Sequence, residues 1–212
     1  MARVFPIEDS AAITPRERQV LGVYARIDEA IGRELDRLRH EEGIVPSCQR
    51  GCCSCCGQHI QLNPVEAHTL GQHIKRTFSR QQIDGLKRRT RRWLAWEAVR
   101  RQGDTPDESD EDLAEPCCPL LVERICSVYP VRPVICRTHY VRSDPSACRA
   151  AHDPRPSEPA PVALTSIIQV TQPLSQLFRA EIEAAGLDYS RSIMLLPHWL
   201  AVEMGWELGL KS

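Results

Sequence analysis

The chain has 212 residues, 42% of them hydrophobic and 26% charged, and a net charge of −1. That length fits one domain with tails, able to bury roughly 70% of its unfolded surface, and the balanced charge excludes a global field for nucleic acid or an acidic membrane. Met1 to Asp9 holds no apolar run of signal-peptide length, and no segment approaches the roughly 20 apolar residues of a membrane span, so the expectation is a cytoplasmic protein with no membrane partner.

Thr14, Pro15 and Glu17 read as a capping box with proline at the first helical position, and Val20, Tyr24, Ile27, Ile31, Leu35 and Leu38 recur at three- and four-residue steps. This predicts an amphipathic helix running to about Gly43. Next comes a loop carrying Cys48, Cys52, Cys53, Cys55 and Cys56, too rich in thiols and small residues for regular structure. Asn63-Pro64-Val65-Glu66 repeats the start signal for a second helix with Ala67, Leu70 and Ile74 facing inward. Ser79 caps a third, whose apolar stripe is Ile83, Leu86, Trp93, Leu94 and Ala98 and whose other face carries arginines. From Lys75 to Arg101 ten basic residues face only Asp84 and Glu97, and seven acids follow between Asp104 and Glu115 without one base.

Gly103 to Pro116 reads as an acidic loop, Pro119 to Tyr129 as a short hairpin, and the proline-punctuated stretch from Tyr129 to Cys136 as a turn into a short helix. Asp153 to Pro161, with four prolines in nine residues, reads as an extended linker. Thr165 to Ala185 and Pro197 to Leu208 read as two last helices, with Pro173 kinking or restarting the first of them. The expected fold is mainly α: a small helical domain with an irregular cysteine-rich metal-binding centre and at most one short β-hairpin. Its organisation would be a cysteine-cluster domain over 1–152, a linker over 153–161, and helices from 162 to 212 packing on the same domain.

In a reducing compartment, ten clustered cysteines point to ligation rather than to structural disulfides. The spacing Cys48-x3-Cys52-x2-Cys55 is similar to the triad that holds a four-iron cluster in radical S-adenosylmethionine enzymes. Ser54 stands where those enzymes have an aromatic residue, however, and no alternation of strands and helices follows. Cys52-x2-Cys55 also has zinc-knuckle spacing, but the later thiols Cys118, Cys126, Cys136 and Cys148 sit singly, with 7, 9 and 11 residues between them. Irregular single ligands suit a polynuclear centre or two interleaved sites. His59 and His139 lie close to cysteines in sequence and could ligate zinc, or else serve as ordinary surface or core histidines. His198 reads as the start of the last helix.

The joint pattern is more specific. Cys-x3-Cys-x2-Cys-Cys, then Cys-Pro-x-Leu, then Cys-Ser-Val-Tyr-x-x-Arg-Pro-x-x-Cys-Arg and a final cysteine, over Cys48 to Cys148, resembles the YkgJ-type cysteine-cluster proteins, described as zinc- or iron-chelating domains. Flagellin lysine methylases carry the same kind of domain. The resemblance implies a centre of iron–sulfur (4Fe-4S) or zinc type held by Cys48, Cys52, Cys55, Cys56, Cys118, Cys126, Cys136 and Cys148. Cys53 and Cys117 fall outside the pattern. Family members often have a glycine in the turn that here reads Val122-Glu123-Arg124-Ile125, a departure that bears on hairpin geometry and not on ligation.

Tyr129, Arg132 and Arg137 lie among the second group of thiols. There the arginines could offset thiolate charge and tune a redox centre, or pair with acids such as Glu66 while Tyr129 fills the core. The arginine-rich third helix, with Trp93 and Trp96, could track nucleic acid, but the adjacent acidic run folding back on it is the better reading. Three functions remain open: a metal-binding protein that holds an iron–sulfur cluster or zinc through clustered cysteine thiolates, a cluster-dependent protein-modifying enzyme like the lysine methylases, or a zinc-structured adaptor for a protein or nucleic acid. No Gly-x-Gly-x-x-Gly loop for a nucleotide cofactor is present.

Overall fold

The computed structural model describes residues 13–49, 51–101, 116–150 and 160–207. The expected acidic fold-back at 104–115, the linker at 153–159 and the N-terminal nine residues lie outside them. Seven α-helices in the described residues carry the architecture: α1 Pro15–Glu41, α2 Pro64–Thr77, α3 Arg80–Arg101, α4 Val134–Thr138, α5 Pro145–Ala150, α6 Thr165–Ala184 and α7 Leu196–Met204. The fold is mainly α.

Helix starts follow local chemistry. Thr14 Oγ1 accepts from the Glu17 amide at 3.1 Å, while the Glu17 carboxylate accepts from the Thr14 amide at 2.9 Å, so two otherwise unpaired donors are satisfied reciprocally. Asn63 Oδ1 caps α2 by accepting from the Glu66 amide, 3.0 Å, and Ser79 and Gln82 form a second capping box at the head of α3. At its end α7 stops at Met204, short of the expected Leu208. Gly205 adopts a left-handed φ of +63°, and Trp206 N–H closes back onto Ala201 O at 2.9 Å, a Schellman turn. Helix α6 runs unbroken through Pro173, so the expected restart does not occur.

Two large apolar cores and a smaller one around Trp93, Leu94 and Trp96 hold the helices together. Val20, Tyr24, Ile27, Ile31 and Leu38 of α1 pack against Ile167, Phe178 and Ile182 of α6. Leu70 and Ile74 of α2 meet Leu86, Leu196 and Leu200 in the second core, which Leu120, Val128 and Val131 complete from the cysteine-bearing segment. Helix α2 approaches α7 so closely that a Cβ on Gly71 would lie 2.7 Å from Glu203 Cβ. Glu17, 1% exposed, is joined by Arg76 across from α2 at 3.0 Å.

Among the described residues the β-structure is two two-stranded pairs and one isolated antiparallel bridge, Val141 with Ala163. Strands β2 (Leu121–Val122) and β3 (Ile125–Cys126) form a hairpin, with Leu121 opposite Cys126. Strands β1 (Gln61–Leu62) and β4 (Met194–Leu195) pair antiparallel over a long sequence separation, fastening the start of α2 to the start of α7. In the third helix Trp96 and Thr90 are buried in addition to Leu86, Trp93 and Leu94, whereas Ile83 and Ala98 of the expected stripe are half-exposed.

Candidate metal centre

The candidate ligands sit on short, irregular segments around a 3-10 turn, Ser54–Gly57. The loop before it is shaped by tight backbone bonds: Cys52 N–H donates to Gln49 O at 3.0 Å and Cys56 N–H to Cys53 O at 2.9 Å. Gly51, at φ +87°, supplies a left-handed bend that a side chain would resist. From the other half of the cysteine series, Cys118 N–H donates to Cys56 O at 2.7 Å, joining two segments separated by α2 and α3. Ser127 N–H and Oγ both donate to Leu120 O, at 2.9 and 2.8 Å, which closes the hairpin base between Cys118 and Cys126.

Cys136 is carried by α4 and Cys148 by α5, where it is buried. Helix α5 packs on the Ser54–Gly57 turn. At the far side of the loop, Ser47 Oγ donates to Ser143 O at 2.6 Å and its amide to Val141 O at 3.0 Å. The Val141 amide in turn donates to Cys48 Sγ at 3.4 Å. No side-chain pattern could have announced that last contact, because a backbone donor carries no sequence signature.

Electrostatics shows which thiols share surroundings. Burial pushes the thiols of Cys48, Cys118, Cys126 and Cys136 up, Cys118 to about 12, and neighbouring thiols push in the same direction. In the adjacent pair, the hydrogen bond from Cys56 draws Cys55 down to about 7, and the same contact, with burial, holds the Cys56 proton on. Cys55 is the common neighbour, since its charge acts on Cys48, Cys56, Cys118, Cys126 and Cys136. Cys52 acts on Cys48. Of the two thiols outside the pattern, Cys53 precedes the 3-10 turn and Cys117 is exposed.

None of the ten cysteines is in a disulfide. Among the described residues no group of three Cys, His, Asp or Glu side chains is drawn together tightly enough to form a closed coordination shell. The donor set nonetheless suits a soft or borderline metal: these half-buried sulfurs repel one another as thiolates, so they keep their protons until a cation or cluster displaces them.

Other expected residues have different partners. Arg137, 3% exposed, does not pair with Glu66; it donates to Asp28 Oδ2 at 2.5 Å, to Arg132 O at 2.8 Å and to Pro130 O, and lies over the Tyr24 ring. Glu66 is instead saturated by Tyr24 Oη, the Val134 amide and Asn63 Nδ2. Tyr129 does not fill the core, being half exposed beneath the Arg132 guanidinium. Trp93 and Trp96 are each 3% exposed, with the His59 ring edge-on to both at 5.3 Å, so their faces are not offered to bases. The carbonyl of His139 lies 4.0 Å from Cys48 Sγ, and His198, in the first turn of α7, meets Glu97 at 2.6 Å.

No protein-family model, curated protein or solved structure matches this chain. The reading of the centre therefore rests on its own chemistry. No described helix is long and apolar enough to cross a membrane.

Proposed function

We propose that this is a metal-binding protein of YkgJ type, whose clustered thiolates hold an iron–sulfur cluster or zinc. The observation that supports the reading most is that the two halves of the cysteine series meet: Cys118 N–H donates to Cys56 O at 2.7 Å, and the thiols of Cys55, Cys118, Cys126 and Cys136, from the first loop, the hairpin and α4, lie near enough to act on one another. Cys55, Cys56, Cys118, Cys126 and Cys136 would supply the inner thiolates, with Cys48, Cys52 and Cys148 completing the eight. Thiolates in this number fit either four-coordinate zinc or an iron–sulfur cluster. When bound, such a centre would supply a rigid cross-link and, if it contains iron, a reducible site.

The chain's own residues prepare for that load. The Val141 amide offers a hydrogen bond to Cys48 sulfur, which favours the thiolate over the thiol. The bond from Cys118 N–H to Cys56 O sets the two halves of the ligand series side by side. The test is anaerobic purification with metal and sulfide analysis and a visible spectrum, on the wild type and on Cys55→Ser and Cys136→Ser. Wild-type protein should carry metal at whole-number stoichiometry and both variants should lose it. Full loading of either variant would remove that cysteine from the ligand set, and an empty wild type after reconstitution with iron, sulfide or zinc would end the reading.

A further inference from the structure

Two arginines lie among the second group of thiols, and their surroundings separate them. Arg137 spends its donors on Asp28, Arg132 O and Pro130 O, so it is a structural tie between α4 and α1. Arg132 is held differently. It closes the 3-10 turn Tyr129–Val131, is kept extended by the following Pro133, and has its carbonyl gripped by Arg137. Its guanidinium stacks on Tyr129 at 4.2 Å from the ring centroid, and its Nε is buried with no hydrogen-bond partner among the described residues. A buried guanidinium donor without an acceptor is costly; the group's other neighbours are the Tyr140 hydroxyl and the thiols. Its charge acts on Cys48, Cys55, Cys126 and Cys136, drawing all four toward the thiolate form.

We propose that Arg132 is the counter-ion of the thiolate centre: a positioning residue, stacked on Tyr129 with an unspent buried Nε–H, whose positive charge offsets the net negative charge of a polythiolate site. The inference rests on the metal-centre reading above and deepens it. Tyr129 fixes the plane of the guanidinium, Arg137 fixes its backbone, and the missing acceptor for Nε is a ligand sulfur of the assembled centre. Its effect is on how readily the thiolates gather, and no ligand is lost when it is replaced.

The test is cobalt(II) and zinc(II) binding to the full chain under anaerobic conditions, by chelator competition, in wild type, R132Q and R132K. R132Q should bind about 10–100-fold more weakly, the usual range for a residue behind the ligands. Its sulfur-to-cobalt charge-transfer intensity per bound ion, which counts thiolate ligands, should be unchanged, and R132K should recover part of the loss. Affinity in R132Q within about twofold of wild type would overturn the role of Arg132 while leaving the thiolate centre standing. Lost charge-transfer intensity, or R132K falling as far as R132Q, overturns it as well, because Arg132 would then shape the loop rather than supply charge. Should R132Q fail to fold by circular dichroism, R132K carries the test: affinity within about tenfold of wild type supports the role and a larger loss overturns it. Where the wild type takes up neither ion, the same comparison is made on iron and sulfide loading, and a wild type that takes up none of these removes the centre, and Arg132's role with it.

Discussion

The α1–α6 pair and the cysteine-bearing segments are stabilised by different means. Along α1, Val20 and Ile27 are wholly buried and Tyr24 nearly so, against Ile167, Phe178 and Ile182, and the capping box at Thr14 completes an element that apolar burial alone could hold. Around the thiols the elements are a four-residue 3-10 turn with no buried residue, a hairpin of two-residue strands, and a five-residue helix. Val122, Ile125 and Ile135 on those segments remain largely exposed. Leu120, Val128 and Val131 anchor the ends of the hairpin in the second core, but the strands and turns between them bury little apolar surface to offset their conformational entropy, so a cross-link would stabilise the thiol region more than the helices.

Removal of the proposed metal would expose that difference most directly. Stripping the centre with a chelator should collapse amide protection around 54–57 and 118–128 while leaving the middle of α1 and α6 protected, since structural zinc in small domains contributes about 10–16 kcal/mol. Hydrogen exchange with mass spectrometry reads it, and equal loss in both regions would mean that they form one cooperative unit. Acid should act through the same thiols. With Cys118 raised to about 12 and Cys48, Cys126 and Cys136 also raised, these groups are protonated at neutral pH without metal, so uptake releases protons. Cobalt affinity should therefore rise with pH, about tenfold per unit for each proton displaced, and a flat profile across neutrality would contradict thiol ligation. On the helical side, Ile27→Ala should cost about 2–5 kcal/mol in urea unfolding, by a similar amount with and without metal.

The helical side was also the legible one. Thr14, Asn63 and Ser79 announce helix starts because a cap is satisfied within three residues, and the structure places α1, α2 and α3 behind them. What the sequence hides depends on distance. Arg137 sits beside thiols in sequence yet pairs with Asp28, 109 positions away. Trp96 reads as exposed because its helix is mostly charged, but it closes a small core with Trp93 and Leu94 against Leu195 and Ala201 of the distant β4 and α7. The pairing of β1 with β4 leaves no period to read in two residues a strand. The cysteine pattern itself is conspicuous, but the central position of Cys55 depends on how the hairpin and α4 return to the first loop.

The turn of the hairpin offers the finest discrimination between the two regions. Glu123 and Arg124 occupy its two central positions at φ +49° and +64°, the conformation of a type I′ turn, where asparagine and glycine are favoured. Each ordinary side chain held there costs on the order of 1–2 kcal/mol, so the segment between Cys118 and Cys126 carries strain that its two-residue strands do little to offset. Arg124→Gly relieves one share of it. If the hairpin forms fully only when Cys118 and Cys126 are engaged, the relief of about 1 kcal/mol appears as roughly fivefold tighter cobalt binding, with urea unfolding of the helices unchanged. If the hairpin is already formed without metal, the same relief appears in both states and the affinity stays where it was. Measuring both quantities on one variant therefore shows whether the strained turn is ordered by the helices or by the ion.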